Sequence, residues 1–455
     1  MSHNALLLVA AAGVALLLVM IIKAKVQPFV ALLVVSIAVA LTAGVPAADL
    51  VTTIEEGMGS TLGHIATIIA LGAMIGRIIE LSGGAASLAH SLMERFGEKR
   101  TPLALTAAGF LLGIPVFFEV GLIILMPIVY GVARASRKPL LVYALPMGAA
   151  MLTVHAFLPP HPGAVAAATT IGADQGWVLL FGIPVTAVVI AIGYLLAKRM
   201  TRRTYAMTAD VREKVFGDAE NTSDEDAASF ENPPSFGMIL TLIVTPIALI
   251  LLGTIATNTL AEGSIPRAVL TVLGAPMVAL LVAAALSAYF LGIRRGWSGA
   301  RVSEVMGSAL PGVAMVILVA GAGGVFGKVL VETGIGDAVA DVLDRTGLPL
   351  LALAFAMTAL LRAVQGSTTV ALVTTAGLIN PLLQRTDLSP QQLALICLAM
   401  GGGGLALSHI NDAGYWMFTK LVGLEVGDAL RTWTVLTTAM GTVGFLLTGA
   451  LWLVV

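Results

Sequence analysis

Apolar runs long enough to cross a bilayer recur along this chain and leave it little choice but to fold as helices. A crossing takes about 20 residues of helix. Runs of that order lie near 5–22, 26–45, 61–81, 139–172, 175–197, 236–258, 266–291, 307–330, 389–424 and 429–455. Inside hydrocarbon every backbone N–H and C=O must find a partner within the protein, which a helix provides along its whole length. Composition agrees, since 58% of the 455 residues are hydrophobic and only 11% charged, outside the range of a water-soluble domain. The expected class is an all-α polytopic membrane protein with ten membrane spans and lipid around it. The formal net charge of −1 gives no reason to expect a nucleic-acid partner.

Two further runs, near 101–133 and 348–383, are too long for one helix, and each is interrupted by polar or helix-breaking residues, "GIPVFFEVG" in the first and "RAVQGSTTV" in the second. Basic residues decide how they run. Arg95, Lys99 and Arg100 precede the first, and Arg134, Arg137 and Lys138 follow it, so both of its ends belong in the cytoplasm. The segment before the second, "VETGIGDAVADVLDRTG", is acidic and poor in basic residues, as an external segment would be. These runs are expected to be two re-entrant hairpins facing each other from opposite leaflets. Lys23 and Lys25 follow the first apolar run rather than precede it, so that run reads as a retained helix and not a cleaved signal, with the N-terminus outside.

The one extended hydrophilic stretch, 198–235, contains "GDAENTSDEDAASFENPP" and is expected to be a mobile cytoplasmic linker between halves 1–197 and 236–455. The halves repeat. "MIGRIIELSGGAASLAHSLMERFG" matches "VFGKVLVETGIGDAVADVLDRTG" in the spacing of its glycines and charges, each is followed by an interrupted run, and "ALPMGAAMLTVHAFLPPHPG" has a counterpart in "CLAMGGGGLALSHINDAGYW". The first copy begins with an inward-running span and the second with an outward one, so the repeats are expected to be inverted. In such an arrangement discontinuous helices of both halves meet at a site near the midplane.

Four helix breaks are expected, at Ile114–Gly121, His155–Gly163, Gln365–Thr369 and Ser408–Gly414. Each starts a new half-helix whose unpaired N–H groups carry partial positive charge, which suits an anionic ligand. Glu119 follows "IPVFF". A carboxylate so placed reads either as a proton carrier or as a neutral acid hydrogen-bonded to the other hairpin. Asp412, in the opposing break, is the second proton-coupling candidate. Gly113, Pro115 and Gly121 suit the bend and close packing, and Gly121 also counts among the substrate-site candidates. Ser367, Thr368 and Thr369 offer three consecutive hydroxyls at a helix start, either as ligand contacts or as N-caps. Arg362 lies deep in "MTALLRAVQG" and needs an anion, from substrate or from a structural ion pair. Gln365, His155, His161, His409 and Asn411 complete the candidate substrate contacts. The imidazoles have no metal-ligand spacing, and no metal or cofactor is expected. Lys420 reads as a marker of a cytoplasmic helix end. The "GGGG" at 401–404 lies inside a span with no Lys-Ser/Thr after it, so it reads as a close helix contact rather than a phosphate loop.

At these breaks the chain resembles the gluconate permease family of gluconate:proton symporters, itself related to the wider ion transporter superfamily. The stretches that carry the resemblance are "GIPVFFEVGLIILMPI", "HAFLPPHPG", "GAGGVFGKVLVETGIG", "LLRAVQGSTTVALVTTAGLINPL" and "SHINDAGYW", in family order over nearly the whole chain. One departure is Ala164, where many members place another proline. The resemblance implies proton-coupled uptake of gluconate or a related sugar acid across a bacterial cytoplasmic membrane, with some relatives taking D-serine or other short acids. It also implies a homodimer in which a transport domain carrying both hairpins slides against a scaffold. An intramembrane enzyme using His and Asp at the same breaks, or a channel, are the readings of a different class.

Overall fold

The computed structural model describes residues 1–216, 233–335, 338, 349–410 and 412–455, and among these the architecture is helical. In the first half the helices are α1 (His3–Ile22), α2 (Pro28–Ala43), α3 (Leu50–Leu81), α4 (Gly84–Phe96), α5 (Thr101–Gly113), α6 (Phe118–Ser136), α7 (Leu141–Phe157), α8 (Pro162–Thr170) and α9 (Gln175–Met200). A short α10 (Ala209–Phe216) follows. In the second half come α11 (Phe236–Thr259), α12 (Ile265–Gly274), α13 (Pro276–Ser287), α14 (Gly299–Gly307) and α15 (Leu310–Glu332). They are followed by α16 (Leu350–Gln365), α17 (Thr368–Leu383), α18 (Pro390–Leu405), α19 (Ala413–Val422) and α20 (Val426–Trp452). Several ends follow directly from the local sequence. Pro28 opens α2 and Gly44, at φ +99°, closes it; Ser389 and Gln392 form a capping box before α18.

Eight helices among the described residues are long and apolar enough to cross a membrane. Seven coincide with expected crossings, and the eighth, Phe118–Ser136, is the second arm of the first interrupted run. The runs at 5–22 and 26–45 give shorter described helices, and 389–424 is divided between α18 and α19. The run at 266–291 is also two helices rather than one, because Pro276 cannot donate to the preceding turn and a new helix starts there.

The element order of 101–200 recurs in 350–452: a helix pair, a broken helix, then one long helix. Both sets contribute to one continuous hydrophobic core, in which α7 and α18 are buried on nearly all sides. The four glycines at 401–404 make that density possible. An added Cβ would meet the Ala156 carbonyl of α7 at 2.9 Å from Gly401, the Gly441 carbonyl of α20 at 2.8 Å from Gly402, Thr358 of α16 at 2.8 Å from Gly403 and Thr368 of α17 at 3.2 Å from Gly404. A single turn of α18 thus touches four neighbouring helices, as the contact reading of "GGGG" expects. A second hydrophobic cluster joins α1 and α2 to α15.

The linker departs from expectation in its first part. Met207, Val211 and Val215 recur every four residues and put one apolar face on α10. That stretch docks: Thr208 N donates to the Gly423 carbonyl at 2.8 Å, Arg134 Nε donates to the Val215 carbonyl at 2.8 Å, and Val215 is fully buried. The acidic stretch expected to be mobile falls mostly on 217–232, outside the described residues, as does most of the expected external segment at 336–348.

Candidate functional site

Each of the four expected breaks is present, and local sequence explains each one. Between α5 and α6 the chain turns at Ile114–Phe117 around Pro115. Between α7 and α8 it runs through Leu158–His161, with a cis peptide between Pro159 and Pro160. Gly366, at φ +78°, ends α16, and Ser367 caps α17. Between α18 and α19, Leu407 takes a positive φ of 56° and Asp412 caps the new helix. The four breaks converge. A cavity of about 310 Å³ is lined by Phe117, Phe118 and Glu119 from the first, His155 and His161 from the second, Gly366–Thr369 from the third, and Asp412–Gly414 from the fourth. Arg362 and Leu152 add to the wall, and Gly312, Met315 and Val319 of α15 close one side.

Four half-helices, α6, α8, α17 and α19, therefore begin at one cavity, and the first-turn amides of each lack intrahelical acceptors. Their aligned peptide dipoles make its wall electropositive. Some of those donors are already satisfied. Val370 N donates to Ser367 Oγ at 3.3 Å and Gly414 N to Asp412 Oδ1 at 2.9 Å.

Arg362 is almost wholly buried at 1% exposure and bridges two breaks. Its Nη2 donates to Asp412 Oδ2, its Nη1 donates to the Gly366 carbonyl, and its Nε has no partner. The ion pair open from the sequence is formed within the protein, and Arg362 lines the cavity as well. Asp412 Oδ2 also accepts from Ser408 Oγ, which in turn accepts from Trp433 Nε1 at 2.7 Å. Trp433 lies on a π-turn, Leu430–Thr434, within α20, and Thr434 Oγ1 of the same turn donates to the Ser408 carbonyl at 2.6 Å. π-Turns re-aim side chains within otherwise regular helices. Sequence reasoning missed Trp433, because no pattern in "ALRTWTV" announces the turn.

The three hydroxyls of "STT" separate into distinct roles. Ser367 Oγ is the N-cap of α17, and Thr368 Oγ1 donates to the Gly404 carbonyl at 3.0 Å. Thr369 lines the cavity without either commitment. Across from it His155 and His161 stack with ring centroids 3.4 Å apart, and Phe117 meets His161 edge-on at 5.6 Å. Both ring nitrogens of His161 and Nδ1 of His155 are buried without a partner, an arrangement that calls for a polar ligand. Glu119 lies in the first turn of α6, and no ion pair engages it among the described residues.

Three sequence candidates stand off the cavity wall. Gly121 packs against Met151 and belongs to the helix contact, not to the lining. His409 turns its Nε2 to the Ala363 carbonyl at 2.9 Å. Gln365 sits one residue before the Gly366 turn with its amide buried and unpartnered. Asn411 lies outside the described residues. Among the described residues no three His, Cys, Asp or Glu side chains are grouped to hold a metal ion. Lining residues that sequence reasoning did not single out, such as Leu152, Met315 and Val319, carry no polar signal and enter only through packing.

Known proteins resemble this chain in sequence and in fold. The family model described as GntP family permease matches residues 5–455. The chain is 50% identical to the inner membrane permease YgbN of Escherichia coli K12 over the whole of both chains. It is 36% identical to a low-affinity gluconate transporter of the same organism, covering 98% of this chain and 97% of that one. Identity to its Gnt-II system L-idonate transporter is 37%, with 97% of each chain covered. Among solved structures, the YdaH transporter of Alcanivorax borkumensis shares the fold with a TM-score of 0.65 at 15% identity, over 93% of this chain and 98% of that one. The protein is a multi-pass transporter of a bacterial inner membrane, not an enzyme, and it belongs to the GntP family of permeases.

Proposed function

We propose that this permease is a proton-coupled symporter that takes gluconate or a related sugar acid into the cell. The observation that carries the reading is the convergence of four half-helix N-termini on one cavity whose only arginine is already paired with Asp412. With that pair neutral overall, the helix ends are left to attract an anion. The substrate carboxylate sits against the first-turn amides of α17 and the Thr369 hydroxyl. The unpartnered nitrogens of His155 and His161 take substrate hydroxyls. The names of relatives that transport gluconate and L-idonate support the same substrate class.

Proton coupling rests on the contrast between the two carboxylates. Asp412 accepts from Arg362, Ser408 and its own cap amide, so it acts as the brace that holds two breaks together. Glu119 has no such set and is the group assigned to carry the proton. The repeated element order supports reading the chain as two inverted halves with re-entrant hairpins; the external N-terminus and the homodimer belong to the same proposal.

The test is uptake into proteoliposomes with an imposed pH gradient, acid outside, using labelled gluconate and L-idonate. Accumulation above the external concentration that collapses with a protonophore is expected. Equilibration without accumulation would mean a channel or an uncoupled carrier.

A further inference from the structure

A second cavity, of about 450 Å³, lies at the far ends of the same helices that build the central one. Helices α8, α15 and α17 line the central cavity at His161, at Gly312–Val319 and at Ser367–Val370. They line the second with Thr169 and Thr170, with Lys328, and with Asn380 and Gln384. Counting along α8, the two are separated by roughly 13 Å at 1.5 Å per residue. Tight contacts close the space between them. An added Cβ on Gly163 would meet Thr369 Cα at 3.1 Å, one on Gly323 would meet Val373 at 2.7 Å, and one on Gly377 would meet the Gly323 carbonyl at 2.9 Å.

The wall of the second cavity combines one ammonium with several hydroxyl and amide groups. Lys328 Nζ is held by Glu56 at 3.0 Å and Glu332 at 3.3 Å, and Glu332 Oε2 accepts from Thr53 at 2.7 Å. Both carboxylates line a different, neighbouring cavity, whereas Lys328 lines this one. The ion cluster thus presents its cationic member to the second cavity and its anionic members away from it. An ammonium has three donors, and two are committed. Around it stand the hydroxyls and amides of Thr169, Thr170, Asn380 and Gln384, and Thr170 Oγ1 is buried without a partner. Helices α8, α15 and α17 all end at this cavity, and several of their last carbonyls already accept backbone amides, Thr169 from Gly172 and Asn380 from Gln384 among them.

We propose that this cavity is a second binding site for the same polyhydroxylated carboxylate, a vestibule at the opposite end of the path from the central cavity. Lys328 takes the carboxylate and Asn380, with the threonines, takes the hydroxyls. The assignment rests on the proposed substrate class. With its one cation shared by the two carboxylates Glu56 and Glu332, and with helix C-termini in place of N-termini, the vestibule binds an anion more weakly than the central site.

Equilibrium binding of labelled gluconate to the purified full-length protein decides it. Two classes of site are expected in the wild type. Lys328→Gln and Asn380→Ala each weaken the low-affinity class at least tenfold and leave the tight class unchanged, Lys328→Arg retains both, and Thr369→Val weakens the tight class alone. If Lys328→Gln lowers thermal stability along with both classes, Asn380→Ala becomes the deciding variant. One class of site in the wild type, or a weak class indifferent to Asn380→Ala, overturns the vestibule while leaving the central site intact. No gluconate binding of either class defeats the substrate reading itself and this site with it.

Discussion

Arg362 on α16 donates to Asp412, the N-cap of α19, so a single buried ion pair joins two helix breaks that are 50 residues apart in sequence. The same guanidinium holds the carbonyl of Gly366, where α16 stops and α17 is about to begin. Removing one partner leaves an uncompensated charge in a low-dielectric interior, at a cost of about 3–5 kcal/mol. Arg362→Leu is therefore expected to lower thermal stability sharply, and Arg362→Leu combined with Asp412→Leu to recover part of the loss. Melting of the detergent-solubilised protein checks this, and a single variant within about 1 kcal/mol of wild type would remove the pair from the account of how the site is held.

Of the three hydroxyls at the start of α17, Thr369 is the one with neither a cap nor a carbonyl commitment. Thr369→Val keeps the shape and deletes the hydroxyl, and it is expected to weaken substrate binding by about 1.5–3 kcal/mol, roughly tenfold to a hundredfold. Ser367→Ala removes a cap and is expected to cost about 1 kcal/mol of stability with little change in affinity. Binding isotherms and melting curves on the two variants separate these roles, and the reverse pattern would assign the ligand contact to Ser367.

Glu119→Gln is expected to abolish uptake driven by a pH gradient while retaining exchange of internal for external substrate, since exchange requires no net proton movement. In the proposed coupling, a proton on Glu119 would let the loaded site cross the low-dielectric barrier at smaller electrostatic cost, and its release on the cytoplasmic side would loosen substrate. Gradient-driven accumulation that survives in the variant hands the carrier role to another group. Loss of exchange as well would make Glu119 a substrate contact.

The basic residues flanking 101–133 predict that both ends of that helix pair lie on one side of the membrane. Glu98 and Ser136 are exposed at those ends. Single cysteines there should react with an impermeant maleimide only when the cytoplasmic face is open to the reagent. Opposite labelling would make α5 and α6 a crossing pair and end the inverted-repeat proposal.

Much of this protein was legible in its sequence because hydrocarbon permits so few backbone solutions. Long apolar runs force helices, and prolines or paired turn residues inside such runs force breaks, so "HAFLPPHPG" and "QGSTT" announced where α7 and α16 would stop. The same logic selected Glu119, Asp412, Arg362 and the two histidines, since polar side chains in a greasy run need a reason to be there. Amphipathic spacing in 207–215 is short and is followed by acidic composition, so its docking on α6 and at the end of α19 is set by tertiary contacts.

What the sequence determined alone was helical content, the position of the breaks and the inventory of polar groups within them. Which of those groups face one another was decided by tertiary packing. Arg362 meets Asp412 where α18, through its four glycines, packs closely against α16, α17 and α20. Thr369 differs from Ser367 and Thr368 only by where one turn of helix points each hydroxyl, toward the cavity, the cap or the Gly404 carbonyl. Trp433 reaches Ser408 from a π-turn of α20 that no local pattern in "ALRTWTV" announces. Side-chain partners across 50 or more residues depend on distances that local pattern does not encode, and close helix packing is what sets those distances.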